Sequence, residues 1–508
     1  MGAHSENSRR IVKNTLMLYV RMLFLMLIGF YTSRVVLGAL GETDFGIYNV
    51  VGGVVAMFTV VSGTLNAAIS RFITFELGKG GGMHLNKVYS TAVLIQALIA
   101  IIVAVVAEPV GMWFINNEMT IAPERIPAAR WVLHFSIFSF VINLLSVPQM
   151  ASITAHEHMS AYAYIGLSDG LLRLAVALLL QHSPIDRLVY YSALMAVAVT
   201  IVRITYGIYC RRHFEECRFR PVFDKGLVKE MFSFAGWNFI GASSGVLRDH
   251  GGNILVNIFF GPAMNAARGV AVQVFSALQG FVTNFMTAVN PQITKSYASG
   301  DKEFMLSLVR KSSRMSFYLL SIIALPVIFN ADFLLGIWLK DVPDNASDFV
   351  RLFLIFALSE SLSHSLVTAQ LATGNIKKYQ IIVGGIIMLN LPVSYILLKA
   401  GFPAESTVIV AIVISQLSFF ARLFLLKGMV GLSVKTFLHK VYLNVIAVTA
   451  AALIAPLMFE MIKPSGVAGF VSGILICLCS VSASVLFVGC SKAERKDMLM
   501  LVIRKLRK

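Results

Sequence analysis

The stretch MFSFAGWNFIGASSGVLRDHGGNILVNIF, Met231 to Phe259, is a hydrophobic run of 29 residues with Arg248, Asp249 and His250 near its middle. As a helix rising 1.5 Å per residue, a run of that length crosses the roughly 30 Å of bilayer hydrocarbon. A charge near the bilayer midplane costs roughly 2.5 to 3.5 kcal/mol on insertion scales, so it turns toward protein or water and marks a pathway. The stretch therefore reads as a membrane helix whose Leu247-Arg248-Asp249-His250 segment faces a polar cavity.

The rest of the chain agrees. Of its 508 residues 57% are hydrophobic and 14% charged, with a mean hydropathy of +0.77. A soluble protein carries about 25% charged residues. Fourteen apolar spans can be read, near 14–38, 45–75, 88–107, 128–154, 161–181, 188–210, 231–259, 264–289, 305–328, 350–372, 379–399, 406–427, 439–460 and 467–490. The expected fold class is an all-α polytopic membrane protein. With a cytoplasmic N-terminus, one loop alone places Arg211, Arg212, Arg218, Arg220, Lys225 and Lys229 inside, while the opposite side holds Arg125, Arg187, Lys340, Lys399 and Lys463. By the positive-inside rule both termini are expected in the cytoplasm. The net charge of +17 then follows from topology and attraction to anionic headgroups, with no nucleic acid partner implied.

The first span carries Arg21 and Arg34 and no small-residue cleavage site follows, so it reads as a retained helix. Cys210, Cys217, Cys477, Cys479 and Cys490 suggest neither a disulfide framework nor a zinc site. Self-comparison at an offset near 220 pairs Gly41 with Gly261, Ile73-Thr74 with Ile293-Thr294, Trp113 with Trp338, and Arg130 with Arg351. It also pairs Thr154-Ala155-His156 with Thr373-Gly374-Asn375. The common order divides the chain into a six-helix lobe at 1–210, a basic linker at 211–230, a second six-helix lobe at 231–427, a helix pair at 428–490 and a basic amphipathic tail at 491–508. Parallel repeats of this kind are a transporter architecture, with substrate held between lobes. Gly52-Gly53, Pro148, Gly251-Gly252, Pro326, Gly384-Gly385 and Pro392 interrupt apolar runs, as bends or as packing positions.

The intramembrane charges sort by depth. Arg71, Arg203 and Arg422 lie near helix ends and are expected to snorkel to headgroups. Arg34 and Arg268 stand about one turn from outer ends, where snorkelling and cavity lining are both open. Arg21, roughly 10 Å inside its helix, and the deeper Arg248 are expected to line a cavity. Grouped guanidiniums suit a phosphate or diphosphate, whose oxygens accept paired donors. Asp169 and Arg173, and Glu360 and His364, stand four apart and share a helix face. Each pair either neutralises itself, or Asp169, Asp249, Glu360 or His364 exchanges a proton or sodium ion during transport.

No constellation for covalent chemistry is present in the sequence. Gly80-Gly81-Gly82 lacks the strand and helix of a nucleotide site and reads as a turn. His156-Glu157-His158 has poor spacing for a metal and reads as a solvated loop, so no metal or cofactor is expected beyond Na+ or H+ as coupling ion. The tail Lys492 to Lys508 mixes basic and apolar residues and is expected on the inner leaflet.

Several motifs resemble a known family. The opening helix from Arg21 through Ser33-Arg34 to Leu40-Gly41, the segment Phe45-Gly46-Ile47-Tyr48, Pro291-Gln292-Ile293 with Tyr297-Ala298-Ser299-Gly300-Asp301, and Ala372-Thr373-Gly374-Asn375 leading to Tyr379 are similar to Wzx-type polysaccharide flippases. These belong to the multidrug/oligosaccharidyl-lipid/polysaccharide exporter (MOP) superfamily, and the likeness is to the oligosaccharide flippases of Bacteroides-like bacteria. The resemblance implies a two-lobed helical fold in the bacterial inner membrane. It implies movement of an undecaprenyl-diphosphate-linked oligosaccharide, for lipopolysaccharide or capsule, through a cationic central cavity. Membrane lipids and other polysaccharide-assembly membrane proteins are the further partners it implies. Arg21 resembles the first-helix arginine that contacts the diphosphate in MurJ-type lipid II flippases. Arg34, Arg248 and Arg268 are expected to join it, the latter two by location alone, with Asn238, Asn253 and Asn284 touching sugars. A cation-coupled multidrug antiporter of the same superfamily is the alternative. A membrane-embedded glycosyltransferase or polymerase is the second, weakened by loops of only about 20 residues.

Overall fold

A computed structural model describes residues 2–56, 59–80, 83–117, 119, 121–220, 224–339, 342–462, 466–491 and 494–495. Among them no strand occurs. Two compact units are formed: unit 1 comprises 1–242 with 287–300, and unit 2 comprises 243–286 with 301–508.

Unit 1 is built from α1 (Gly2–Ala56), α2 (Thr59–Gly78), α3 (Met83–Asn117), α4 (Ile126–Leu145), α5 (Val147–Ala155), α6 (Met159–Leu179) and α7 (Arg187–His213). The next helix, α8 (Lys225–Ala298), contributes its ends to unit 1 and its middle to unit 2. Unit 2 continues through α9 (Lys302–Phe329), α10 (Ala331–Trp338), α11 (Ala346–Ser361), α12 (His364–Thr373), α13 (Lys377–Met388) and α14 (Asn390–Lys399). It closes with α15 (Ser406–Val430), α16 (Val434–Phe437), α17 (Leu443–Glu460) and α18 (Gly466–Ser484).

Local chemistry explains the boundaries. The Asp186 carboxylate accepts from the amides of Leu188 and Val189 at 3.1 Å and starts α7, and Asp301 does the same for α9 through Phe304 N. Pro148 stands in the first turn of α5, and Pro392 in that of α14, where a missing N–H is harmless. The apolar spans 128–154, 350–372 and 379–399 are thus each built from two helices. At the first break, Ser146 Oγ caps the carbonyls of Ile142 and Asn143.

α1 and α8 share one irregularity. Gly41 (φ 76°, ψ 171°) and Gly261 (φ 79°, ψ −173°) break their helices in nearly the same conformation, a region open to glycine alone. The pair matched by self-comparison therefore turns the chain the same way in both halves.

Twelve helical stretches among the described residues are long and apolar enough to cross a membrane. The span 231–259 is helical but outside those twelve, for its apolar residues are diluted by Asn238, Ser243, Ser244, Arg248, Asp249, His250, Asn253 and Asn257. The span 45–75 contains residues 57–58, which lie outside the described residues, as do Gly81, Gly82 and most of the tail from Lys492. Apolar side chains form both the cores and the outer faces. In unit 1, Val36, Val176, Leu180 and Tyr191 pack together, with Tyr48 edge-on to Tyr191 at 4.8 Å. Leu98, Ile101, Ile102 and Val105 form an exposed apolar stripe on α3, the surface expected against lipid.

Candidate functional site

Each unit contains its own buried and half-buried guanidiniums. In unit 2, α8 carries Arg248, Asp249 and, beyond Gly261, Arg268. Arg248 Nε donates to Asp249 Oδ1 at 2.8 Å, and its Nη1 stands 3.6 Å from Glu360 Oε1 on α11. The ring of Phe356 lies 4.8 Å beneath the guanidinium. Arg268 is 5% exposed, reaches the Asp249 carbonyl and Thr407 Oγ1 at 3.4 Å each, and rests 5.1 Å over Phe353. Gly252 makes this approach possible, since a Cβ there would stand 2.7 Å from Arg268 Nη2. The cavity lined by Arg248, Asp249, Gly252, Arg268 and Asn390 measures about 10 Å³, room for a single water. Arg268 Nε, Asn390 Nδ2 and His364 Nε2 have no hydrogen-bond partner among the described residues.

Glu360 and His364 share no hydrogen bond or close ion pair among the described residues, and the ion pair of Glu360 is with Arg248. Asp169 and Arg173 do pair, at 3.2 Å along α6. The snorkelling expected of Arg71 and Arg422 is overturned, and Arg203, half-buried, also finds partners inside the fold. Arg422 is buried, donating to Tyr379 Oη at 2.9 Å and Ser363 Oγ at 3.0 Å. Arg203 donates to Asn143 Oδ1 and reaches Met150 Sδ at 3.1 Å. Arg71 is buried against Phe72, Phe75 and Phe234. In each case the guanidinium has polar or aromatic partners from the fold.

In unit 1, the Arg21 guanidinium stacks 4.6 Å over the Tyr162 ring and lies on Gly166, where any Cβ would collide with it. It forms no ion pair among the described residues, and its Nε has no hydrogen-bond partner there. Arg34, thirteen residues on, is about 20 Å further along α1 and so belongs to a different place. It lines a pocket of about 680 Å³ with Tyr31, Gln181 and Arg187. Of the amides expected to touch sugars, Asn253 is exposed, Asn284 donates to the Gly280 carbonyl of its own helix at 2.8 Å, and Asn238 is half-buried in unit 1.

The His156-Glu157-His158 segment is a built structure and not a solvated loop. Glu157 takes a left-handed backbone conformation (φ 62°), and its side chain is 2% exposed. Its carboxylate accepts from Gln292 Nε2 at 2.5 Å and Lys295 Nζ at 2.7 Å, with Arg10 at 3.6 Å. His156 meets Glu216 at 2.5 Å and stacks on Phe214, while His158 Nδ1 meets Tyr209 Oη at 2.9 Å. Burial and the surrounding positive charge of His156, His213, Arg10 and Lys295 hold His158 below its ordinary range. Sequence reading missed Glu157 because the partners that bury it come from positions some 140 residues away in the chain.

With this helical architecture and its interior arginines in view, family comparison decides the identity. The model of the family described as "Polysaccharide biosynthesis protein" matches residues 11–297, more than half of the chain. The chain belongs to the polysaccharide biosynthesis protein family. Members of this family are the Wzx-type flippases that the sequence motifs resemble. No curated protein sequence matches the chain. Solved structures match over most of its length. An outward-facing multidrug resistance MATE family transporter of the MOP superfamily has a TM-score of 0.73 at 10% identity, over 84% of this chain and 96% of that one. A MOP superfamily transporter from Pyrococcus furiosus, described with a binding pocket of reverse polarity, gives 0.70 at 10% identity over 82% and 96%. The MATE transporter ClbM, in complex with Rb+, gives 0.67 at 13% identity over 84% and 96%. The polysaccharide biosynthesis family member described here is a multi-pass membrane transporter with the MOP fold and not an enzyme, which removes the glycosyltransferase or polymerase alternative.

Proposed function

We propose that the chain moves an undecaprenyl-diphosphate-linked oligosaccharide from the cytoplasmic to the periplasmic leaflet by alternating access. The observation that supports this most is Arg21, a guanidinium within a membrane helix, stacked on Tyr162 and without an ion pair among the described residues. An anionic headgroup supplies the counter-charge that it lacks, and a diphosphate presents oxygens in the spacing its planar fork matches. Arg34 in unit 1 and Arg248 and Arg268 in unit 2 are the further guanidiniums proposed for the anion, and Asn238, Asn253 and Asn284 the amides proposed for sugars. The polyprenyl tail stays in lipid throughout.

The driving force in this reading is the membrane potential. Asp169 pairs with Arg173, and Asp249 and Glu360 with Arg248, so the carboxylates expected to exchange Na+ or H+ already hold cations. An inside-negative potential favours export of a headgroup by roughly 2.3 kcal/mol per negative charge per 100 mV crossed. The fold of the MATE neighbours favours a cation-coupled drug antiporter as second reading. An arginine without a counter-ion opposes an organic cation there.

The test is deletion of the gene in its host and analysis of the undecaprenyl-linked oligosaccharides. The proposal expects a completed repeat unit trapped on the cytoplasmic leaflet and loss of a surface glycan. Unchanged glycans with raised sensitivity to cationic drugs would establish the antiporter instead.

A further inference from the structure

At the end of unit 1 where α1 breaks at Gly41, two arginines share one pocket. Tyr31, Arg34, Val35 and Gly38 lie on one face of α1 and line it from one side, with Gln181 and Arg187 on the other, around an open pocket of about 680 Å³. That is the size of a small-molecule site and far above the 10 Å³ beside Arg248.

Both arginines are available to a ligand. Arg34 is exposed and forms no hydrogen bond or ion pair among the described residues. Arg187 spends one Nη1 N–H on the Ala39 carbonyl at 3.1 Å, two residues before the break at Gly41. The other four guanidinium N–H groups of Arg187 are uncommitted among the described residues. Its backbone is fixed, because Asp186 caps the first turn of α7. Two acids nearby in sequence, Asp44 and Asp186, are taken by Arg125, the first in a two-pronged contact. Although burial opposes it, the Arg125 contact and the α7 amides hold the Asp186 carboxyl below its usual range. Positive charge at the pocket is thus left without a described counter-charge.

We infer that Arg34 and Arg187, with Gln181 and Tyr31 as neutral hydrogen-bonding groups, form a separate binding station for a phosphate-ester anion at this end of unit 1. The inference rests on the proposed transport of a diphosphate lipid and adds a second stop to it. On the topology expected from the positive-inside rule this end faces outside, where a headgroup would arrive after crossing. The same chemistry accepts a lipid-linked diphosphate or a free one.

The test uses the full chain in phosphatidylcholine nanodiscs, with inorganic pyrophosphate and undecaprenyl diphosphate as separate probes. Arg34→Gln and Arg187→Gln are each expected to weaken binding about tenfold. Arg34 bonds to nothing that folding requires, so Arg34→Gln decides the matter even if Arg187→Gln loses its hold on Ala39. Weakening for both probes supports the station with diphosphate as sufficient ligand. Weakening for undecaprenyl diphosphate alone supports it with the lipid-borne group as ligand. Unchanged binding of both probes to Arg34→Gln overturns it. If wild-type chain also translocates the lipid, that last result removes the station and leaves the transport proposal standing. A wild-type chain that binds pyrophosphate through Arg34 yet never moves the lipid refutes the transport proposal and keeps the station.

Discussion

Arg248 on α8 and Glu360 on α11 face each other across 3.6 Å, 112 positions apart in the chain, while Arg248 also holds its neighbour Asp249 at 2.8 Å. The two are unequal in need. Arg248 keeps Asp249 if Glu360 is neutralised, whereas Glu360, whose side chain is 20% exposed, loses its ion pair if Arg248 is removed. Arg248→Ala is expected to destabilise the protein by about 3 kcal/mol and Glu360→Gln by distinctly less. Thermal unfolding of both variants in one detergent checks the order, and equal losses would contradict it.

The arginines also depend on small residues beneath them. Gly252→Ala sets a Cβ against Arg268 Nη2, and Gly166→Ala sets one onto the Arg21 guanidinium. Either change is expected to cost about 1 to 3 kcal/mol of stability or displace the guanidinium. A relaxed variant would show normal unfolding with slowed transport, and a strained one the reverse. A variant normal in both would count against the packing described.

Gly41 and Gly261 make a matched pair. Alanine at either is expected to lower stability by about 1 to 3 kcal/mol, since this extended positive-φ conformation is closed to a residue with a Cβ. Unfolding midpoints of the two single variants should fall by similar amounts. A neutral substitution at one site alone would show that the two breaks are not equivalent.

The segment around Glu157 should respond to acid. His158 is held below its ordinary range, so its neutral form is the one the fold favours. Its contribution is fully present above the unfolded value of about 6.5 and is lost as pH falls through the lower folded value. Hydrogen exchange across residues 152–160 should therefore stay slow at neutral pH and accelerate under mild acid, and His158→Gln should flatten that response. Acceleration of the same size in the variant would assign it to another group.

Much of this was legible in the sequence, and what was not has a physical cause. Out-of-place charges in apolar runs pointed to Arg21, Arg248, Asp249 and Glu360, because burying a charge is expensive whatever the fold. Which charge meets which was not legible. Spacing of four paired Asp169 with Arg173 correctly, and for Glu360 it missed the ion pair with Arg248 from another helix. Depth along a helix assigned Arg422 to headgroups, yet Tyr379 and Ser363, 43 and 59 positions away, hold it inside. Glu157 gave no signal at all: a carboxylate in a polar stretch looks solvated until its donors from α1 and α8 are placed.

The most direct measurement is leaflet exchange of an undecaprenyl-diphosphate oligosaccharide in proteoliposomes, comparing wild type with Arg21→Ala at equal reconstituted amounts. The account predicts rapid movement by wild type under an applied potential and a rate lowered about tenfold or more in the variant. Movement by Arg21→Ala as fast as wild type would contradict the claim that this guanidinium carries the diphosphate.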